Sequence, residues 1–294
     1  MTKPRAKLVF LPCLDSDDMA AARRAELAIP RATAAALGRS AVDAATEGHY
    51  LSSTGCRINW RPAVQTARLL KRSIPPDMVL PSGDPLIRRE TRTQVGNETT
   101  LQASKRLTDR GSRPLALNFA NGIRAGGGFL EGALAQEEVL CRSSALHHTL
   151  VNDPMYEAHR QRPRPDSTAW AIYSPDVPVF REDDGTALDQ PWLLSCVTCA
   201  APYAPAIGQP ESGDLLRQRI HRVLGIARAF GHRELILGAW GCGAFGNDPR
   251  QTASDFRSVL ETDFSGAFDE IAFAITDWSP ERRFLGPFRE VFSD

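Results

Sequence analysis

The sequence predicts an α/β fold, a mainly parallel or mixed sheet layered with helices, and three observations carry that expectation. Short apolar runs alternate with longer amphipathic ones through the last two thirds of the chain. Two of the short runs feed straight into glycine-rich loops, and a helix start follows each loop. With 294 residues, 42% of them hydrophobic, the chain is long enough for one large core with or without an extension.

In chain order, residues 17–37 and 62–72 are rich in alanine and arginine and have helical character, with a short apolar piece at 57–60. Pro75, Pro76, Pro81 and Pro85 punctuate the end of this part. They place a boundary between residues 75 and 92 and divide the chain into a mainly helical N-terminal extension, 1–90, and an α/β domain, 91–294. In the second part, 114–120 (PLALNFA), 169–173, 192–199, 234–240 (ELILGAW) and 270–276 (EIAFAIT) read as strands. Residues 101–108, 135–150, 214–230 and 249–260 read as helices. Residues 156–182, dense in proline and arginine, read as an excursion between layers.

Composition excludes several classes. Lysine plus arginine and aspartate plus glutamate balance at 35 each, so no overall basic field holds nucleic acid and any polyanion must be gripped locally. Six cysteines spread over a long chain favour free thiols in a reducing compartment. Cys196 and Cys199 form a lone CxxC in an apolar run, which reads as a buried strand, and the adjacent His147 and His148 cannot face one ion from a helix. No metal site is expected. No stretch approaches the roughly 20 apolar residues of a membrane span, so a soluble, cytoplasmic and by default monomeric protein is expected.

The two glycine loops carry the chemistry. PLALNFA runs into Asn121 and a loop containing Gly126, Gly127 and Gly128, and ELILGAW runs into Gly241-Cys-Gly-Ala-Phe-Gly-Asn-Asp248. Asp248 and Pro249 are good N-cap and first-turn residues for the helix beyond. Both loops leave carboxyl ends of strands, the edge where open α/β sheets bind ligands. There glycine lets backbone N–H groups approach phosphate oxygens. Neither loop has the GxxxxGK[ST] of a P-loop. The second spells GxGxxG at Gly241, Gly243 and Gly246, but with one strand to follow it does not open a dinucleotide-binding unit.

With seven residues between, Gly128 is followed by Gln136-Glu137-Glu138, in the first turn of a helix. The bland account is that carboxylates favour a helix N-terminus and that Glu138 pairs with Arg142 one turn on. The chemical account is a shared sugar site. Adjacent helical positions diverge by about 100°, so the pair does not flank a sugar from opposite faces as in most glycosidases. One carboxyl would handle protons and the other grip hydroxyls, with a neighbouring pyrophosphate raising the acid's pKa by like-charge repulsion.

The combination GGG, seven residues, then QEE resembles the signature of the bacterial-type poly(ADP-ribose) glycohydrolases. LNFAN, AQEEVLCRSSAL, IYSPDVPVFRE, VTCAAP and LGAWGCGAFGND resemble further segments of that family in the same order. The resemblance implies a macrodomain-like mixed sheet sandwiched between helices, with 91–294 as the catalytic domain. It implies hydrolysis of the ribose–ribose O-glycosidic bond of poly(ADP-ribose), with Glu138 as general acid and then base and Glu137 holding the hydroxyls of the ribose being cleaved. Gly126, Gly127 and Gly128 match the loop beside that ribose. Gly241, Cys242, Gly243, Ala244, Phe245 and Gly246 match the loop around the diphosphate, with Phe245 beside the terminal ribose. Asn118 and Asn121 fall where ribose-binding amides sit, Asn121 being the better match. Gln136, Phe129 and Gly238 complete the expected ligand-binding set on these segments. Glu98 and Thr99, with Trp278, are the candidates near the adenine. No cofactor is implied. The expected partners are poly(ADP-ribose), ADP-ribose and ADP-ribosylated proteins. Two alternatives stand beside this: an ADP-ribose-binding reader, which would not need the QEE acid, and a hydrolase of mono-ADP-ribosyl or O-acetyl-ADP-ribose substrates.

Overall fold

A computed structural model describes residues 6–81 and 90–293. Residues 1–5, 82–89 and 294, and with them Pro85 of the expected boundary, lie outside the described residues. The elements begin with β1 (Lys7–Phe10), α1 (Asp17–Leu27), α2 (Arg31–Glu47), β2 (His49–Leu51), β3 (Arg57–Asn59), α3 (Arg61–Leu70) and β4 (Arg72–Ile74). They continue with β5 (Glu90–Gly96), α4 (Thr100–Thr108), β6 (Leu115–Ala120), α5 (Gln136–Ser143), α6 (Leu146–Leu150) and α7 (Pro154–Arg160). The chain ends with β7 (Ala171–Arg181), β8 (Ala187–Ala200), α8 (Ala204–Ile207), α9 (Glu211–Ala229), β9 (Glu234–Leu237), α10 (Pro249–Glu261), β10 (Glu270–Ala274) and α11 (Leu285–Val291).

Eight strands form one mixed sheet in the order β1-β5-β10-β9-β6-β8-β7-β4. The six from β1 to β8 run parallel and β7 is antiparallel to both neighbours. Period-two alternation distributes the strand residues between two cores. Leu115 and Leu117 of β6 join Ile271 and Phe273 of β10 under α9, α10 and α11. Ala116 joins Ala272 and Ala274 on the other face, under α2, α3, α4, α5 and α6. Asn118 shares the face of Ala116, which aims it at α5. The same alternation separates the CxxC pair: Cys196 lies in one core and Cys199 in the other, so they cannot share an ion.

Both edge strands, β1 and β4, come from the first ninety residues. The same stretch supplies α2, which packs on α5 and on the 3₁₀ turn Phe129–Glu131. Pro30 interrupts the helix expected over 17–37, giving α1 and α2, because a proline ring blocks the preceding turn. The helix expected over 135–150 breaks at Ser144, whose backbone is extended (φ −145°) and bridges Val179. Ala145 N–H then donates to Pro178 O at 3.0 Å.

The excursion expected at 156–182 is an excursion only as far as residue 170, after the end of α7; from Ala171 to Arg181 it is β7. Its prolines are tolerated because a bulge lies between Ser174 and Val177 and β4 pairs with residues 171–173 alone. Pro178, which has no N–H to donate, serves there only as the acceptor from Ala145 N–H.

Candidate active site

The glycine loop after β6 and the N-terminus of α5 are built on each other. Gln136 joins them: its Oε1 accepts from Phe119 N–H at 2.9 Å, and its Nε2 donates to Leu117 O at 2.7 Å and Thr100 Oγ1 at 3.1 Å. Its amide is therefore occupied by β6 and α4, and it fixes the pair that follows.

Glu137 is 3% exposed and Glu138 8%. Glu137 is held at both oxygens, by Asn121 N–H at 2.7 Å and by Asn118 Nδ2 at 3.3 Å. Glu138 Oε1 accepts from Gly128 N–H at 2.9 Å, whereas its Oε2 is buried with no partner among the described residues.

Burial pushes the Glu137 carboxyl up to about 8; the Asn121 N–H works against this and the neighbouring Glu138 charge adds to it. Arg142, expected to pair with Glu138, is 1% exposed, and none of its three guanidinium nitrogens has a hydrogen-bond partner among the described residues. Burial depresses its pKa, while the charges of Asp183 and Glu138 raise it.

Three consecutive glycines are explained here. Gly126 (φ +74°) and Gly127 (φ +57°) adopt left-handed backbone. A β-carbon on Gly126 would lie 2.9 Å from the Phe129 ring, and one on Gly127 would lie 2.3 Å from Glu138 Oε1 and 3.0 Å from Glu137 Oε2. One on Gly128 would stand 3.0 Å from the Ala133 β-carbon. Both carboxyls thus converge on Gly127. Phe129 packs this loop from behind: its ring is 2% exposed and lies 4.7 Å from that of His147. Burial pushes the His147 imidazole down to about 4.

The second loop borders a cleft that Gln136 also lines, while Glu137, Glu138 and Gly126, Gly127 and Gly128 lie outside its lining. Asp248 caps α10 by accepting from Gln251 N–H at 2.7 Å. Asn247, which sequence reasoning passed over, braces the loop by donating to Gly241 O and Pro202 O while Ser212 Oγ donates to it. The Cys242 thiol is buried. Phe245 meets Tyr203 edge to face at 6.0 Å, and Gly238 sits where a β-carbon would strike Ala274 O and the Phe119 ring. Among the described residues, no acceptor takes the consecutive N–H groups of Gly243, Ala244 and Phe245.

The cleft has a volume of about 300 Å³ and runs from Gly243, Phe119, Ala135 and Gln136 to Thr99, Ile275 and Trp278. Trp278 is 46% exposed at its rim. Glu98 also lines it, with both carboxylate oxygens engaged by Arg106. Thr99 caps α4 and its hydroxyl donates to Asp183 at 2.6 Å.

Sequence reasoning missed Asp183. It is fully buried and lines the cleft, with one oxygen lacking a hydrogen-bond partner among the described residues. Burial pushes it up to about 7. Thr198, also missed, accepts from Asn118 Nδ2 at 3.2 Å; a polar residue within the run CVTC is the signal that marks it.

The described residues hold no helix long and apolar enough to cross a membrane and no group of three or more residues fit to bind a metal ion.

The family model "Microbial-type PARG, catalytic domain" matches residues 38–182. None of the curated proteins compared with the chain matches it. The solved poly(ADP-ribose) glycohydrolase of Thermomonospora curvata is 37% identical, with a TM-score of 0.82, over 88% of this chain and 99% of that one. The same enzyme bound to the inhibitor ADP-HPD aligns with a TM-score of 0.81, 37% identical, over 88% and 98%. The enzyme from Deinococcus radiodurans, in complex with ADP-ribose, aligns with a TM-score of 0.71 at 37% identity, over 80% of this chain and 98% of that one. With that identity over nearly the whole of a solved relative, the chain belongs to the microbial-type poly(ADP-ribose) glycohydrolase family.

Proposed function

We propose that the chain hydrolyses the ribose–ribose O-glycosidic bond of poly(ADP-ribose) with Glu138 as the catalytic acid and base. The observation that carries the assignment is the buried, unpartnered Oε2 of Glu138 beside a Glu137 whose two oxygens are both held. Glu138 protonates the leaving ribose oxygen as its bond to the anomeric carbon breaks, and the carboxylate then takes a proton from the attacking water. Glu137 grips the hydroxyls of the ribose being cleaved. The diphosphate lies on the free N–H groups of Gly243, Ala244 and Phe245, where its charge offsets the oxocarbenium-like centre. The adenine end occupies the arm of the cleft at Thr99, Ile275 and Trp278. ADP-ribosylated proteins are then the polymer's carriers.

One observation favours the reverse assignment: Glu137, pushed up to about 8, keeps a proton at neutral pH and is itself a candidate donor. The test is release of ADP-ribose from purified polymer by Glu138→Gln and Glu137→Gln, with ADP-ribose binding followed by calorimetry. Loss of about 10²- to 10⁴-fold in kcat for Glu138→Gln with binding retained supports the assignment. That loss in Glu137→Gln alone reverses it, and tight binding with no hydrolysis by the wild type makes the protein a reader.

A further inference from the structure

The segment from α7 to the start of β7 has no part in the site just described, yet it clamps the backbone from which Glu137 hangs. His159 is 3% exposed and lies between two fixed partners. Thr168 N–H donates to His159 Nε2 at 3.1 Å. The Thr168 hydroxyl, itself an acceptor from Trp170 N–H, also stands 2.8 Å from that nitrogen. Two donors aimed at Nε2 make it the acceptor, so the proton is on Nδ1. Nδ1–H then donates to Gly122 O at 2.9 Å. Burial lowers the imidazole's pKa and keeps the ring neutral.

Gly122 belongs to a short turn that is cross-linked by hydrogen bonds. Asn121 Oδ1 accepts from Ile123 N–H and Arg124 N–H, both at 3.0 Å, and Arg160 from α7 donates to Ile123 O at 2.8 Å. The turn lies flush against its clamp, since a β-carbon on Gly122 would come within 2.3 Å of Ser167 Oγ. The residue before Gly122 supplies the 2.7 Å N–H bond to Glu137.

We propose that His159, as the Nδ1–H tautomer, is a positioning residue for Glu137, acting through the Gly122 carbonyl and the Asn121 N–H. The inference rests on Glu137 taking part in hydrolysis as proposed above. It assigns a role in the known reaction to a side chain that touches no substrate, as outer partners do when they orient a reacting group's neighbours.

The test is a double-mutant cycle in polymer hydrolysis. His159→Ala is expected to lower kcat/KM roughly 10- to 100-fold, the scale of an ångström-sized misplacement. His159→Asn, whose amide N–H reaches the Nδ1 position, should recover most of that loss, and His159→Gln, whose amide lies at the Nε2 position, should not. In a Glu137→Gln background His159→Ala should add little. Additive losses, or equal activity of the Asn and Gln variants, would overturn the proposal. If Glu137→Gln alone matches the wild type, it is the proposed role of Glu137 that fails. A measurement without substitutions covers variants that do not fold: the ¹⁵N shifts of the wild-type imidazole should show a protonated Nδ1 and a bare Nε2 at pH 7. An Nε2–H tautomer or an imidazolium would refute the clamp.

Discussion

A β-carbon placed on Gly127 would lie 2.3 Å from Oε1 of Glu138. This is the closest link between the glycine loop and the carboxyl pair, and the left-handed φ of +57° at Gly127 adds a second reason for glycine. Gly127→Ala must either displace the carboxyl or bend the loop. Strain at such a position costs on the order of 1 to 3 kcal/mol. Displacing Glu138 by an ångström lowers kcat about 10²-fold. Turnover of polymer and thermal melting, measured together, should show the catalytic loss exceeding what the stability change explains; near wild-type kcat would show that Glu138 is not held by this loop.

Burial of Glu137 makes stability depend on pH with a definite sign. Its carboxyl is raised from 4.5 to about 8, so between those values the folded protein binds more protons than the unfolded chain. Stability is fully present below pH 4.5 and is lost as pH rises through 8. Asp183, pushed up to about 7, acts in the same direction. Glu137→Gln removes one titration, and its stability should fall less between pH 5 and pH 9. The difference is on the order of 4 kcal/mol for a shift of this size. Urea unfolding at pH 5, 7 and 9 measures it, and parallel pH profiles for the two proteins would contradict the burial argument.

Gln136 reads in sequence as part of a ligand-binding triplet, but the fold uses its amide to hold β6 and α4. Removing the side chain leaves Phe119 N–H and Leu117 O without their partner. An unpaired buried group costs about 1 to 3 kcal/mol. Gln136→Ala should therefore lower the melting temperature as well as kcat. A variant that loses activity while melting like the wild type would assign Gln136 to the ligand instead.

The parts of this site that were legible in sequence are those whose cause is local. A strand followed by glycines and a capped helix states its own geometry, and Asp248 caps α10 as its position before Pro249 implies. The convergence of Glu137 and Glu138 on Gly127 shows only in the structure, where the loop returns to its own helix. What stayed hidden depends on distant partners. Nothing in LHHTL announces that the chain must leave the helix at Ser144 to bridge Val179. Likewise the four residues of β1 and the three of β4 become sheet edges through strands far along the chain. Prolines at 175 and 178 mask β7 because their tolerance depends on a bulge and on how far β4 extends.

The second loop separates fold from binding in two neighbouring glycines. Gly241 has φ +76°, and a β-carbon there would lie 2.7 Å from that of Ala201 and 2.8 Å from Asn247 Nδ2. A β-carbon on Gly243 meets nothing within 4 Å, although Gly243 lines the cleft and begins the run of three free N–H groups. Gly241→Ala is thus expected to destabilise the protein by about 1 kcal/mol or more, since alanine at positive φ is strained. Gly243→Ala is expected to melt like the wild type. If the diphosphate rests on these N–H groups, its added methyl should weaken ADP-ribose binding about tenfold, a change of about 1.4 kcal/mol. Calorimetry on both variants decides the matter: unchanged affinity in Gly243→Ala would remove the diphosphate from this loop, whereas a loss confined to the variant that folds normally would locate it there.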